Sequence, residues 1–133
     1  MTSPPPQNGL EKIRSPRNFA DTVARFESLL TAAGLTLFAK IDFTADAQRS
    51  GLKLPPALLF LFGSPKAGTP VMQNVPDVAI DLPLKVLISE SEEGAVWLTY
   101  NVPEYISSRH HIPENLAPNL AGIRPLVRAA AAP

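Results

Sequence analysis

The chain has 133 residues, 12 Lys+Arg against 12 Asp+Glu, 15 prolines and no cysteine. That length suits one domain that buries roughly two-thirds of its unfolded surface, so no disulfide or structural metal is needed to hold a core. Zero cysteine excludes thiol nucleophiles, thiolate metal sites and ordinary iron–sulfur clusters, and balanced charge without a basic run argues against a nucleic-acid partner.

Residues 1–9 contain three adjacent prolines and lack the basic start and apolar run of a secretory signal, so they read as a disordered Pro-rich tail. The longest dense apolar run, residues 57–62, falls far short of the roughly twenty residues a membrane span needs. The expectation is a soluble, cytoplasmic protein with no membrane partner. A single domain is expected over residues 10–128, with residues 129–133 as a frayed C-terminal tail.

Residues 10–15 alternate weakly, as a first strand. Phe19, Val23, Phe26, Leu30 and Ala33 then fall on one helical face, with Asn18 as the N-cap and Gly34 as the left-handed stop. The period switches to two at Leu35, Leu37, Ala39, Ile41 and Phe43, a strand expected to bury that face. Thr44 to Gly51 reads as a short capped helix started by Thr44. Residues 57–62, set off by Pro55-Pro56, are too short for a buried helix and read as a central strand.

Residues 63–69 read as a loop, followed by a helix with Thr69 as N-cap and Pro70 in its first position. Leu84, Val86 and Ile88, then Val96, Leu98 and Tyr100, alternate in two strands joined by the Ser91–Gly94 turn as an antiparallel hairpin. A short helix is expected after Pro103, and a last helical stretch over 114–131 is interrupted by Pro118 and Pro125. This order predicts an α+β two-layer domain, a mixed β-sheet of about five strands with helices packed mainly on one face.

Gly63-x4-Gly68-Thr69 has the glycine spacing of a phosphate-binding loop, but the required Lys-Ser/Thr pair is replaced by Thr69-Pro70. What survives is an anion site at Thr69 and a helix N-terminus. His110 and His111 point about 100° apart on a helix, which suits an exposed polar pair better than a shared metal, and no metal or cofactor site is predicted. Asp42 and Asp81 each lie at a strand end beside apolar residues. A carboxylate there is either a backbone cap or an acid/base, and a functional pair would converge on one pocket with Arg109 as counter-charge. Trp97 and Leu87 lie on the sheet face opposite Val96, Leu98 and Tyr100, which calls for a second subunit if helices cover only one side.

The ordered blocks Phe38-Ala-Lys-Ile-Asp42, Gly51-Leu-Lys-Leu54, Leu59-Phe-Leu-Phe-Gly-Ser-Pro65, Gly68-Thr-Pro-Val-Met72, Ala79-Ile-Asp-Leu-Pro-Leu-Lys85 and Trp97-Leu-Thr-Tyr-Asn101 resemble the bacterial family called domain of unknown function 302. The resemblance spans about residues 10–128. It implies an α+β domain with a mixed sheet, often dimeric, and no established activity. Two positions depart from it: Phe43 stands where the family usually carries His, and Ser64 replaces the Asn of Phe-Gly-Asn-Pro. Phenylalanine neither transfers a proton nor binds a metal, and serine loses the amide donor.

The leading expectation is therefore a homodimeric binding or interaction domain with a pocket for a small ligand, anionic if Thr69 and Arg109 meet there. Gly63, Ser64, Thr69, Arg109 and Tyr100 are the ligand-binding candidates. The alternatives are an enzyme using Asp42 or Asp81 as general acid/base, and a purely structural assembly domain.

Overall fold

The computed structural model describes residues 8–133, so the expected tail lies, apart from Asn8 and Gly9, outside the described residues. Five strands form one sheet: β1 (Leu10–Arg14), β2 (Thr36–Asp42), β3 (Ala57–Gly63), β4 (Leu84–Glu90) and β5 (Val96–Asn101), in the order β1-β5-β4-β3-β2. Five α-helices accompany them: α1 (Phe19–Ala32), α2 (Phe43–Arg49), α3 (Pro65–Asn74), α4 (Pro103–His110) and α5 (Ile123–Ala131). Two 3-10 segments cover Pro76–Asp81 and Ala117–Leu120. The two-layer α+β class stands. Every strand pair is antiparallel, where the element order suggests a mixed sheet. The short helices after β2 and β3 do not act as crossovers to a parallel neighbour.

Helix α1 forms for the reasons its sequence predicts. Asn18 Oδ1 accepts from the Asp21 backbone N–H at 2.8 Å, and Gly34 takes the left-handed conformation beyond the C-cap. Its stripe of Val23, Phe26 and Leu30 packs with Leu126, Val127 and Ala130 of α5 onto Phe60, Phe62, Val86, Ile88, Leu98 and Tyr100. Burying each large side chain there is worth about 1.5–3 kcal/mol before entropy is set against it. Ala130 is fully buried, so α5 continues past residue 128 where fraying was expected.

A smaller core lies at the end of the sheet where β3 and β5 finish. It joins Val71 of α3, Val78, Ile106 of α4, Ile112 and Leu120. The chain is anchored at this same end by Gly9, whose carbonyl accepts from the Val102 N–H at 2.8 Å. Gly9 has φ +74°, and an added Cβ would sit 2.4 Å from the Tyr105 ring, so only glycine fits.

Three local departures from the sequence reading matter for the site. First, Leu37 pairs with Phe62 and Ala39 with Leu61, leaving Phe38 in a β-bulge. The bulge splits the expected single face: Leu37 stays on the helix-covered side, while Ala39 and Ile41 move to the opposite side. Lys40 is thereby placed opposite Phe60, 5.6 Å from the ring centre and 3.3 Å from Glu27 of α1.

Second, α2 begins at Phe43 and is capped by Asp42, whose Oδ1 accepts from the Ala45 N–H at 2.9 Å. Thr44 does not start it. Its hydroxyl donates to Pro55 O and accepts from the Ala57 N–H, each at 2.9 Å, tying α2 to the head of β3. Third, α3 starts at Pro65, so Thr69 and Pro70 lie inside the helix and Thr69 caps nothing. Proline suits the first helical position because its missing N–H needs no partner there. The Ser64 carbonyl receives the N–H groups of Ala67 and Gly68 at 3.0 and 2.9 Å.

The sheet face away from α1 and α5 carries Ala39, Ile41, Leu59, Leu61, Leu87 and Trp97, all half-buried. Ile41, Leu59 and Leu87 stand in one row across β2, β3 and β4.

Candidate functional site

The end of β3 shapes an apolar hollow. Phe62 and Gly63 end β3, α3 follows after Ser64, and the bulged Phe38 stands beside Gly63. Together with Met72, Ala79, Leu82, Pro83, Leu84, Asn119 and Leu120, they line a cavity of about 320 Å³. The volume lies at the small end of the range for ligand pockets. The wall is apolar almost throughout. Its side-chain polar groups are Ser64 and Asn119, the latter with Nδ2 donating to Ala67 O at 3.0 Å.

Of the predicted ligand residues, Gly63 and Ser64 line this cavity. Thr69 is exposed on α3, and neither Arg109 nor Tyr100 is part of the wall. The two aspartates do not converge. Asp42 pairs with Leu58 near the start of β3, whereas Asp81 precedes β4, whose first residue pairs with Phe62 near the other end. Asp42 is exposed and acts as the α2 cap.

Asp81 does meet the predicted counter-charge. Its carboxylate accepts from Arg109 at 3.1 and 3.2 Å and lies 2.5 Å from His110 Nε2. The histidines, expected as an exposed pair, thus differ. The His110 side chain is only 9% exposed and bonded to Asp81, while His111 is exposed in a left-handed conformation that ends α4. No spacing in the sequence joins positions 81 and 110, which meet only because α4 packs on the 3-10 segment of residues 76–81. Nearby Lys85 donates to Pro83 O at 3.0 Å, and burial lowers its pKa, with Asp81 acting in the opposite direction.

Tyr100 belongs to a separate network joining both ends of the chain. It is 2% exposed and donates its hydroxyl to Glu11 Oε1 at 2.7 Å. Burial, reinforced by Glu11, pushes its pKa up to about 12. Beside it Arg124 grips Glu104 through two bonds of 2.5 and 2.6 Å, which holds the Glu104 carboxyl below its ordinary range and the guanidinium above its own. Glu11 also stands 3.8 Å from Arg128. With its hydroxyl committed to Glu11 inside this network, Tyr100 braces β5 against β1.

Fold and cavity together define a two-layer α+β domain with a small apolar chamber at one end of an antiparallel sheet. Among the described residues, no helix is long and apolar enough to cross a membrane, and no three His, Asp or Glu side chains are grouped as a metal site. The chain belongs to the DUF302 family, a domain of unknown function, which it matches over residues 11–130.

A crystal structure of an uncharacterized conserved DUF302 protein from Bacillus stearothermophilus has the same fold. The TM-score is 0.78 at 18% identity, covering 92% of this chain and 95% of that one. Among curated proteins the chain is similar to the fluoride-specific ion channel FluC 1 of Brucella suis biovar 1, with 36% identity over 105 residues. The match takes in 79% of this chain and 41% of that protein. FluC 1 of Brucella abortus and FluC 2 of Brucella melitensis match equally over 105 residues, 39% of each protein. The chain thus spans about two-fifths of the length of these curated relatives.

Proposed function

We propose that the chain is a cytoplasmic, homodimeric domain that binds a small molecule in the cavity at the end of β3. The apolar hollow carries this reading, since concave apolar sites with a few polar groups are the usual form of a ligand site. Binding is favoured over general acid/base chemistry because neither candidate carboxylate faces the hollow: Asp42 caps α2, and Asp81 is held by Arg109 and His110. A thermal-shift screen of neutral, anionic and cationic small molecules should raise the melting temperature with at least one compound. The shift should vanish in Ala67→Leu, which fills the hollow. A screen without hits, or hits that survive this substitution, would refute the reading.

The dimer rests on the uncovered sheet face. A solvated antiparallel face ordinarily carries polar side chains, yet Ile41, Leu59 and Leu87 form an apolar row here, with Trp97 beside it. A second copy supplies the missing layer. Light scattering should therefore give about twice the 14.3 kDa chain mass. Leu87→Glu should yield a folded monomer, because the charge is harmless in water and costly inside an interface. A monomeric wild-type chain at micromolar concentration defeats this part of the proposal.

A second reading draws on the curated relatives. They are named as fluoride-specific ion channels, and the shared stretch accounts for only about two-fifths of each. An ion channel has to cross the membrane, and the described residues of this chain provide no helix able to do so. In this reading the domain is a non-spanning accessory that modulates a fluoride channel. Fluoride efflux from vesicles containing such a channel should change rate when the purified chain is added. An unchanged rate across a saturating range of the chain sinks this reading.

A further inference from the structure

We infer that the cavity at the end of β3 selects an uncharged, largely apolar molecule bearing one hydroxyl group, an inference that rests on the small-molecule-binding reading above. No charged side chain lines the hollow. Of the charges nearest along the chain, Asp81 is turned to Arg109 and His110, Lys85 to the Pro83 carbonyl, and Lys66 is exposed on α3 outside the wall. A carboxylate or ammonium seated against this wall loses part of its hydration and meets no counter-ion there, a penalty of a kind proteins avoid by pairing buried charges. The anionic ligand that Thr69 and Arg109 suggest in the sequence has neither of those groups at the wall.

Two polar side chains stand in the wall, Ser64 and Asn119. Ser64 occupies the N-cap position of α3, where serine ordinarily bonds a helical N–H, yet its hydroxyl makes no such bond. It therefore keeps both a donor and an acceptor for a guest. Asn119 uses Nδ2 on Ala67 O, which fixes the amide and leaves Oδ1 as an acceptor with no hydrogen bond among the described residues. A hydroxyl donates one bond and accepts others, matching such a pair, whereas a pure hydrocarbon leaves both groups unmatched.

Size and wall shape complete the class. At roughly 30 Å³ per water-sized group, 320 Å³ holds about ten non-hydrogen atoms. Phe38 and Phe62 offer aromatic walls, with Phe38 standing beside Gly63. A phenol-sized alcohol fits this description.

The test compares three ring compounds with the full chain: toluene, p-cresol and p-toluate, by titration calorimetry and by the NMR shift of the Met72 methyl. p-Cresol should bind about fivefold or more tightly than toluene, the worth of one ordinary hydrogen bond, and at least tenfold more tightly than p-toluate. Ser64→Ala should erase the advantage over toluene and leave toluene itself unchanged. Ala67→Leu should abolish all binding; should that variant fail to fold, the Ser64→Ala comparison decides alone. p-Toluate binding as well as p-cresol overturns the selectivity while the binding reading stands, and so does parity between toluene and p-cresol. Absence of binding by all three at millimolar concentration defeats this inference, and a broader screen without hits then defeats the binding reading as well.

Discussion

Phe26→Ala is expected to remove about 3–5 kcal/mol of stability, the range for deleting a fully buried aromatic ring. The side chain is completely buried on α1 and meets Phe60 and Phe62 edge-on, with ring centres 5.1 and 5.6 Å away. Such edge-to-face pairs add about 0.5–1.5 kcal/mol to the area they bury. Both layers meet at this ring, so the cavity it leaves cannot be closed by moving one helix alone. Domains of this size commonly have only about 5–15 kcal/mol in total. The variant should therefore unfold at much lower urea concentration with little change in slope, and Phe26→Leu should recover more than half of the loss. A loss below about 1 kcal/mol for the alanine variant would mean that α1 is not seated as described.

The second large effect is expected at Asp81. Asp81→Ala strips His110 of its carboxylate, frees Arg109, and leaves half-buried Lys85 without a nearby negative charge. Because His110 is nearly buried while Arg109 is about half exposed, the cost should be about 2–3 kcal/mol, below that of breaking a fully buried pair. Asp81→Asn keeps a hydrogen-bonding oxygen and should lose about half as much. Asp42→Ala removes only the α2 cap and should cost about 1 kcal/mol. Urea unfolding of the three variants checks this order. Equal losses at the two aspartates would contradict the different surroundings the structure gives them. Ala79 and Leu82 flank Asp81 and line the cavity, so Asp81→Ala should also weaken any ligand bound there.

Much of this architecture is legible in the sequence where the signal is local. The α1 stripe, its Asn18 cap and the Gly34 stop all lie within one stretch, and so does the alternation of β4 and β5 around their turn. The bulge at Phe38 is not legible, because the apolar period runs through it unbroken and only the register against β3 shows the extra residue. The start of α3 is hidden for a related reason: two prolines, Pro65 and Pro70, each suit a first helical position, and packing over the end of β3 selects the earlier one.

The candidate site shows the same division. Gly63 and Ser64 are found because they directly follow an apolar strand. Ala79, Leu82 and Asn119 reach the cavity through tertiary packing and carry no local mark. The pairing of Arg109 with Asp81 follows from the chemistry of an apolar-flanked carboxylate, but the burial of His110 does not. A helix terminus is ordinarily solvated, and here α4 ends against the 3-10 segment of residues 76–81.

The placing of β1 has a consequence for how the protein is made. The strands β2 to β5 each pair with the next one in the chain, but Leu10 pairs with Asn101. On a ribosome adding about 5–20 residues per second, the earliest strand waits on the order of 5–20 s for its partner to emerge. During that interval its backbone is an open edge, the kind of surface that recruits other chains. Lys12 and Arg14 alternate along it, a kind of charge that blunts an open edge. β1 therefore joins the sheet only after β5, the strand it pairs with, has been made.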